Sequence, residues 1–441
     1  MAEIAPLRAV LYDPTKVSVE KVIAPPYDVI SEDDRKNLEA LDPHNIVRLI
    51  LPQGDADARY ADAAKKLAEW RESGVLKRDQ RWAIFVYNQS FTLAELPGRK
   101  FTRRGVICGV RLARYDEQTI LPHERTLRGP KEDRLKLMRA CSAHFSQIFG
   151  LYRDPSNIHQ QLFSHVEDRP ADLSGRTADG TLHQLWRISD RERIRDFSRT
   201  LMPLPFYIAD GHHRYETMLA LRDELAARAP GGELGSRATP QFATFFLTNL
   251  VDPGLVILPT HRLVHSLAQF DPQQLLAKAK ENFEVFPVEG ARQNVDLLKK
   301  VLHERGQTRP SIAVVLPGTE TAWVLSLAHD PYLEVHKAVA HLDVTLLHTL
   351  LLERILGIDA AAQAEQKNLT YVKDTRDALA RVAKGEAQVG FIMNPTLAGQ
   401  VLDVANAHQT MPQKSTFFYP KIASGLVINP LDVDEDLDRA W

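Results

Sequence analysis

The fold of this chain is indicated most clearly by the segment Ala209-Asp210-Gly211-His212-His213-Arg214-Tyr215-Glu216. A short apolar run, residues 205–209, comes directly before Asp210 and predicts a buried strand. Apolar residues at helical spacing follow, and they predict a helix over residues 215–228. A strand that passes through a glycine into a helix is typical of α/β folds that bind a ligand at the helix start. We therefore predict a mixed α/β fold with a ligand site at this junction.

The residues between the predicted strand and helix have the chemistry of an anion site. A helix N-terminus presents unpaired backbone N–H groups and partial positive charge, and both favour anions. Gly211 allows the backbone to approach a ligand closely. His212, His213 and Arg214 add side-chain donors that suit phosphate oxygens. Asp210 is placed to orient a histidine or to hold a metal-bound water, which makes it a catalytic candidate. The structural alternative is a capped helix with surface histidines.

A second group of ionisable residues precedes and begins another predicted helix, which starts at Pro130. Phosphoryl transfer needs neutralisation of the transferring group and a base near the accepting hydroxyl. Glu124 is the candidate base. The other candidates are polar side chains of the same loop and helix start: His123 for catalysis, Lys131 and Arg134 for phosphate, and Arg125 and Thr126 for the substrate. The alternative is a solvated charged loop.

A third group lies near the N-terminus. Two prolines in Ala24-Pro25-Pro26-Tyr27-Asp28 fix an extended segment, which would position Tyr27 and Asp28 against a ligand. Arg48 follows a predicted helix start at Pro43 and is a candidate for the same cleft. We expect Tyr27, Asp28 and Arg48 to bind substrate. A purely structural turn is the alternative.

Two segments of the second half add donors. The first, Lys414-Ser415-Thr416-Phe417-Phe418-Tyr419-Pro420-Lys421, offers lysines and hydroxyls suited to closing over a polyphosphate. The second, Thr260-His261-Arg262, follows a predicted strand end, where ligand groups often lie in α/β folds. A solvated edge strand and a structural strand end are the respective alternatives. We found no G-x-x-x-x-G-K-[ST] string, which excludes a P-loop kinase.

Five segments resemble, as a set, the family catalogued as domain of unknown function 1015. They are Ala24-Pro25-Pro26-Tyr27-Asp28-Val29-Ile30, Tyr60-Ala61, Leu121-Pro122-His123-Glu124-Arg125-Thr126, Lys131-Glu132-Asp133-Arg134 and the stretch from Ala209 to Glu216. The motif around Gly211 also resembles the phosphate-binding motif of the ParB/sulfiredoxin superfamily, which includes free-serine kinases. The resemblance implies a ParB/sulfiredoxin-like core with an additional mixed α/β C-terminal region.

The same resemblance implies a phosphotransferase, a free L-serine kinase that makes O-phospho-L-serine. The expected phosphoryl donor is ATP, ADP or pyrophosphate, and Mg²⁺ is expected because clustered phosphate charge needs neutralising. Sulfiredoxins carry a reactive cysteine where His212 stands, which speaks against sulfinic-acid reduction. Partition proteins add helix-turn-helix DNA readers, and we found none. A non-catalytic nucleotide-binding switch of the ParB-like superfamily is the alternative function.

Length and composition limit the remaining possibilities. The 441 residues and a Pro/Gly-rich break at residues 229–240 predict two regions, 1–230 with the phosphate motif and 231–441. The net charge of −2 gives no basic field for nucleic acid. Two cysteines, no apolar run of membrane-spanning length and no signal peptide predict reduced thiols in a cytoplasmic protein. The expected partners are small-molecule substrates, with no nucleic acid or membrane, and the sequence does not set the number of subunits.

Overall fold

The computed structural model describes residues 1–126, 128–330 and 333–437, and the chain divides into two compact units. The first unit contains Met1–Pro122, Thr126–Leu255 and the C-terminal segment from Pro420 onward. The second contains His123–Arg125 and Val256–Tyr419. This division differs from the boundary predicted at residue 230, because the strand that follows the Pro/Gly-rich break returns to the sheet of the first unit.

The strands of the first unit alternate with helices along the chain. Before residue 255 they are β1 (Ile4–Ala5), β2 (Val10–Tyr12), β3 (Leu76–Arg78), β4 (Ile84–Leu93), β5 (Leu96–Arg111), β6 (Ile120–Leu121), β7 (Ala143–His144), β8 (Ile148–Tyr152), β9 (Leu173–Arg176), β10 (Leu182–Ile188), β11 (Phe206–Asp210) and β12 (Phe242–Asn249). The helices are α1 (Val19–Val22), α2 (Glu32–Leu41), α3 (Val47–Ile50), α4 (Ala58–Glu72), α5 (Arg128–Cys141), α6 (His159–Val166), α7 (Arg191–Leu201) and α8 (His212–Arg228).

A mixed sheet forms the centre of the first unit. Its strand order is β6-β11-β8-β12-β5-β4-β10-β9, with β1 beside β5. The strand β12 is buried along its whole length, as its sequence Phe-Ala-Thr-Phe-Phe-Leu-Thr-Asn predicts for an interior strand. It runs parallel to β8 and antiparallel to β5. The strand β11 runs parallel to β6 and antiparallel to β8, and this pairing positions the end of β11 that carries Asp210.

The second unit contains β13 (Val256–Leu258), β14 (His261–Val264), β15 (Phe283–Val288), β16 (Ser311–Val315), β17 (Ala322–Leu327), β18 (Leu369–Val372), β19 (Val389–Met393) and β20 (Phe417–Tyr419). Its helices are α9 (Pro272–Ala279), α10 (Val295–Gly306), α11 (Lys337–Ala340), α12 (Asp343–Leu346), a π-helix over Leu347–Ile355, α13 (Ala360–Glu365), α14 (Thr375–Ala383) and α15 (Ala398–Asn406). The chain then returns to the first unit, where β21 (Asn429–Pro430) pairs with β7.

The sheet of the second unit has the order β15-β17-β16-β19-β14-β18 and apolar clusters on both faces. Ile312 and Val314 belong to one cluster, and Ala313 and Val315 belong to the other. Successive side chains of a strand point to opposite faces, so the continuous apolar run of β16 fits a strand covered on both sides. This mixed α/β architecture confirms the fold class predicted from the sequence.

Most predicted elements are confirmed, with differences at their ends. The acidic residues that follow Ser31 predict a helix capped by this serine, and its hydroxyl accepts from the Asp34 N–H at 3.1 Å in a capping box. The alternating pattern of residues 82–93, followed by Pro97-Gly98, predicts a hairpin with its turn at these two residues, and that position is wrong. The β4–β5 register pairs Leu93 with Leu96, so the chain turns before Leu96, and Pro97 and Gly98 lie within β5. The helix predicted from residue 215 begins at His212 instead.

The state predicted for the two cysteines also finds support. Cys108 and Cys141 are buried free thiols, as predicted. In the part of the chain that the structure describes, no helix has the length and apolar character needed to cross a membrane.

Candidate functional site

The strand-to-helix junction after β11 depends on Gly211. Its φ of 95° lies in the left-handed region, which disfavours residues with a Cβ atom. A Cβ built on Gly211 would lie 2.9 Å from Cζ of Arg214, which is too close for an undisturbed contact. Because α8 begins at His212, the residues His212, His213 and Arg214 lie in its first turn. The N-cap residue is Gly211, which has no side chain to cap the helix.

Asp210 connects two cations at this junction. Its Oδ2 lies 2.9 Å from Nη2 of Arg214, and its Oδ1 accepts from Nζ of Lys421 at 3.1 Å. Burial by itself raises the pKa of Asp210, but the charges of Lys421 and Arg214 outweigh it and hold that pKa well below its usual value. The carboxylate is therefore ionised, and it fixes the position of both cations.

Arg214 is bound on a second side as well. Its side chain is 4% exposed, and Nη1 donates to the carbonyl oxygen of Gln147. Two of its donor groups are thus occupied by protein acceptors. These contacts give Arg214 the role of a fixed charge that positions Asp210 and supplies positive potential at the start of α8. Direct contact of its side chain with a phosphate stays a prediction.

The start of α8 has the features of an anion site. The first bond along the helix runs from the N–H of Tyr215 to the carbonyl oxygen of Gly211 at 2.9 Å. The N–H groups of His212, His213 and Arg214 precede it in the first turn, where backbone N–H groups point towards the N-terminal end of the helix. The side chain of His212 is buried, whereas that of His213 is partly exposed. A helix start that combines these N–H groups with nearby cations favours phosphate.

Glu216 ties the start of α5 to this helix. Its Oε2 accepts from Oγ1 of Thr126 at 2.6 Å and from Nζ of Lys131 at 2.7 Å. The hydroxyl of Tyr115 donates to Oε1 at 3.4 Å. The structure thus brings two of the predicted residues, Thr126 and Lys131, to the helix that carries the phosphate motif. No role for Glu216 was predicted from the sequence.

Arg134 and Tyr27 form a second contact of the first unit. The guanidinium carbon of Arg134 lies 4.2 Å from the ring centroid of Tyr27, within cation–π range. Burial, together with the charge of Asp28, raises the pKa of Tyr27 to about 12 against the opposing charges of Arg134 and Arg214. Because Arg214 and Asp210 both act on this phenol, Tyr27 lies in the electrostatic field of the junction.

Arg134 is also a structural residue. Its Nε donates to Oδ2 of Asp133 at 2.8 Å, and Nη1 donates to the carbonyl oxygen of Ile50 in α3. Arg48 lies on the same helix α3, where its Nη2 donates to the carbonyl oxygen of Glu39 at 2.9 Å. That contact anchors α2 to α3 and does not connect Arg48 to the junction. The place of Arg48 in a substrate site stays a prediction.

The segment His123–Arg125 belongs to the second unit. Nε2 of His123 lies 3.1 Å from Oγ1 of Thr416, and Nε of Arg125 donates to Oγ1 of Thr410 at 3.1 Å. Glu124 forms an isolated bridge with Met411. The structure therefore groups these three residues with the segment 410–418. It brings Thr126 and Lys131 to Glu216 of α8, and Arg134 to Tyr27. The predicted common cleft stays a prediction.

The chain can be placed in a family at this point. A family model described as a protein of unknown function, DUF1015, matches residues 4–345, more than half of the chain. The chain belongs to this family. The match includes the junction after β11 and residues 121–134, which confirms the resemblance to DUF1015. No curated protein matches this DUF1015 chain.

Solved structures resemble this DUF1015 protein only distantly. A free serine kinase in complex with AMP has a TM-score of 0.39 and 13% identity, over 76% of this chain and 93% of that chain. A conserved hypothetical protein from Pyrococcus furiosus has a TM-score of 0.35 and 15% identity, over 72% and 92%. SbnI with a C-terminal truncation, from Staphylococcus aureus, has a TM-score of 0.37 and 11% identity, over 75% and 90%. Similarities of this size do not decide an activity.

The side chains at the junction would hold Mg²⁺ only together with substrate phosphates and water, which would supply most of its coordination. Both oxygens of Asp210 already contact cations, and the described residues contain no group of three metal-ligating side chains. Mg²⁺ is commonly held by one or two carboxylates together with substrate phosphates and water. Asp210, the carboxylate of the junction, would contact such an ion through one of its bound waters.

Proposed function

We propose that this DUF1015 protein is a small-molecule phosphotransferase that converts free L-serine to O-phospho-L-serine, with a nucleotide or pyrophosphate as the donor. The observation that supports the proposal most is the junction after β11. It joins an uncapped helix start at Gly211 to an ionised carboxylate that fixes Arg214 and Lys421. Helix starts of this kind bind phosphate groups in unrelated nucleotide-binding proteins.

The donor phosphates would bind to the N–H groups of the first turn of α8. His213, which is partly exposed, would add a side-chain donor, and His212 would line the site from the buried side. Arg214 and Lys421 would act through their charge, held in place by Asp210. This arrangement needs no reorganisation when the donor binds, because both cations are already fixed.

The acceptor would lie between Tyr27 and the start of α5. Asp28 offers a carboxylate to the ammonium group of serine, and Arg125, Thr126 and Arg48 are the further predicted contacts. Lys131 and Arg134 would contribute positive charge towards the transferring phosphoryl group. Mg²⁺, when bound, would neutralise phosphate charge. These assignments extend the sequence predictions.

The chemical step needs a base at the acceptor hydroxyl. Glu124 would accept the proton of the serine hydroxyl, and His123 would lie beside it. The hydroxyl oxygen then forms a bond to the terminal phosphorus of the donor. The bond from phosphorus to the bridging oxygen breaks, and its electron pair leaves with ADP, AMP or phosphate, according to the donor. The products are O-phospho-L-serine and the shortened donor.

Phosphorus NMR tests the proposal directly. Purified protein would be incubated with L-serine, Mg²⁺ and, in turn, ATP, ADP or pyrophosphate. We expect a phosphomonoester signal that depends on L-serine and on one of these donors. Donor binding without product from any of the three would contradict the proposed activity and would favour a nucleotide-binding switch.

A variant of the proposed base separates chemistry from binding. Glu124→Gln should abolish turnover and leave donor affinity, measured by calorimetric titration, within about twofold of the wild type. Glu132→Gln is the matched control, since it removes a carboxylate from the same part of the sequence without a proposed role. Full turnover by Glu124→Gln would remove Glu124 from the mechanism.

A further inference from the structure

The second unit contains a small cavity of its own. Its volume is about 170 Å³. Its polar lining includes six residues from the ends of β14 and β19, the start of α12 and the loop before β20: Thr260, Arg262, Asp343, Asn394, Thr396 and Ser415. Three further polar side chains come from the end of α10 and from α15: His303, Gln307 and Gln400. Two segments were predicted from the sequence to supply ligand groups, Thr260-His261-Arg262 and the stretch that begins at Lys414. Both contribute residues to the lining of this cavity.

Arg262 brings a cation to this cavity. Its residue surface is 1% exposed, and its Nε has no hydrogen-bond partner among the described residues. Nη1 donates to the carbonyl oxygen of Thr260, and Nη2 donates to that of Lys414 at 3.1 Å. The guanidinium carbon lies 5.4 Å from the ring centroid of Tyr371. All these neighbours are neutral groups, and no carboxylate of the described ranges pairs with Arg262.

A buried charge without a counter-ion is costly, which makes this arrangement unusual for a structural arginine. Burial lowers the pKa of Arg262 to about 10, so the guanidinium is still cationic at neutral pH. An anion in the cavity would compensate this charge and would give Nε an acceptor. The cost of burying Arg262 is then explained by ligand binding.

The rest of the lining is compatible with an anion. Thr260 supplies a buried hydroxyl, whereas the buried hydroxyl of Ser415 donates to the carbonyl oxygen of Pro412. Nδ2 of Asn394 makes three long contacts: 3.4 Å to the carbonyl oxygens of Leu302 and Ser311, and 3.5 Å to Oδ2 of Asp343. Burial raises the pKa of Asp343 to about 7, so this carboxyl is partly protonated at neutral pH and can then donate a hydrogen bond.

We propose that the second unit holds a binding site for one small oxyanion, a carboxylate or a phosphate, with Arg262 as its charge partner. The volume sets the size of the ligand. Pockets for drug-sized molecules measure roughly 300–1,000 Å³, so the cavity is too small for a nucleotide and fits an ion or a small metabolite. The site is therefore distinct from the proposed donor site in the first unit.

The competing role for Arg262 is that of a strut between the carbonyl oxygens of Thr260 and Lys414. Equilibrium dialysis with labelled phosphate and with labelled acetate separates the two roles. We expect Arg262→Gln to lose at least tenfold in affinity for one of these anions. Arg376→Gln is the matched control, because it removes the same charge from a second-unit side chain that is 71% exposed and outside the cavity. It should bind as the wild type does.

The first unit is expected to bind phosphate too, so pyrophosphate binding at α8 is measured in parallel. Arg262→Gln should leave that binding unchanged, which makes failure here distinguishable from failure of the proposed function. The anion whose affinity falls in Arg262→Gln, phosphate or acetate, identifies the ligand class. A cooperatively melting Arg262→Gln protein with wild-type affinity for both anions overturns the proposal.

A structural readout covers the case in which Arg262→Gln does not fold. Wild-type crystals would be soaked in selenate, whose anomalous signal locates the anion. We expect a peak within hydrogen-bond distance of Arg262. An empty cavity at a selenate concentration that fills the α8 site would overturn the proposal.

Discussion

Arg214 and Asp210 face each other across the first turn of α8, with Nη2 of the arginine 2.9 Å from Oδ2 of the aspartate. Gly211 follows Asp210 in the sequence, and because it has no Cβ atom it leaves room for the guanidinium of Arg214. Lys421, which is 211 residues further along the chain, approaches the other carboxylate oxygen. The junction is thus preorganised: its charges are fixed by one another before any ligand arrives.

Removing Arg214 should affect both binding and stability. Arg214→Ala takes away a buried cation and leaves Asp210 and the carbonyl oxygen of Gln147 without their donor. We expect donor affinity to fall on the order of tenfold to a hundredfold. The free energy of unfolding, measured with urea, should fall by about 3 kcal/mol, a typical value for breaking a buried pair.

The matched control for this experiment lies on the same helix. Arg228 pairs with Glu224, but its side chain is 70% exposed. Arg228→Ala should therefore change the free energy of unfolding by less than about 1 kcal/mol and leave donor binding unchanged. Equal effects of the two substitutions on unfolding free energy and on donor affinity would show that Arg214 contributes no more than an exposed arginine does.

The backbone at Gly211 gives a second prediction. Gly211→Ala should destabilise the protein by about 1–2 kcal/mol through its left-handed φ alone, and displacement of Arg214 should add to this. Gly399→Ala is the control, because a Cβ at that helical glycine would meet nothing within 4 Å. Thermal melting should show a lower midpoint for the first variant only. A neutral Gly211→Ala would contradict the described backbone.

The depressed pKa of Asp210 predicts a pH dependence. Because the folded-state pKa lies below the unfolded value of about 4, the ionised carboxylate contributes stability that is fully present above that value. This contribution is lost as the pH falls towards the folded-state pKa. The stability difference between wild type and Asp210→Asn should therefore shrink below a pH of about 4. A difference that grows on acidification would reverse the assigned sign.

Local structure was largely predictable from the sequence, whereas the contacts of the site were not. The periodicity of residues 215–228 predicted α8, and the apolar run before it predicted β11. The exact start of α8 depends on the φ of Gly211, which periodicity does not report. Lys421 and Gln147 reach the junction through sheet pairing and chain return, and no local pattern encodes such distant partners.

The charge of the chain gives a prediction about partners. With a net charge of −2 the protein lacks the basic excess that drives non-specific binding to DNA. A mobility-shift assay at micromolar protein and low salt should show no complex with duplex DNA. A salt-sensitive shift in that range would contradict this expectation.

The central claim is that the first turn of α8 binds the phosphates of the donor. Backbone amide NMR of labelled protein during titration with pyrophosphate tests it most directly. We expect the amide signals of Gly211, His212 and His213 to shift saturably, and we expect adenosine, which has no phosphate, to leave them in place. Saturable pyrophosphate binding that leaves these three signals unmoved would contradict the claim.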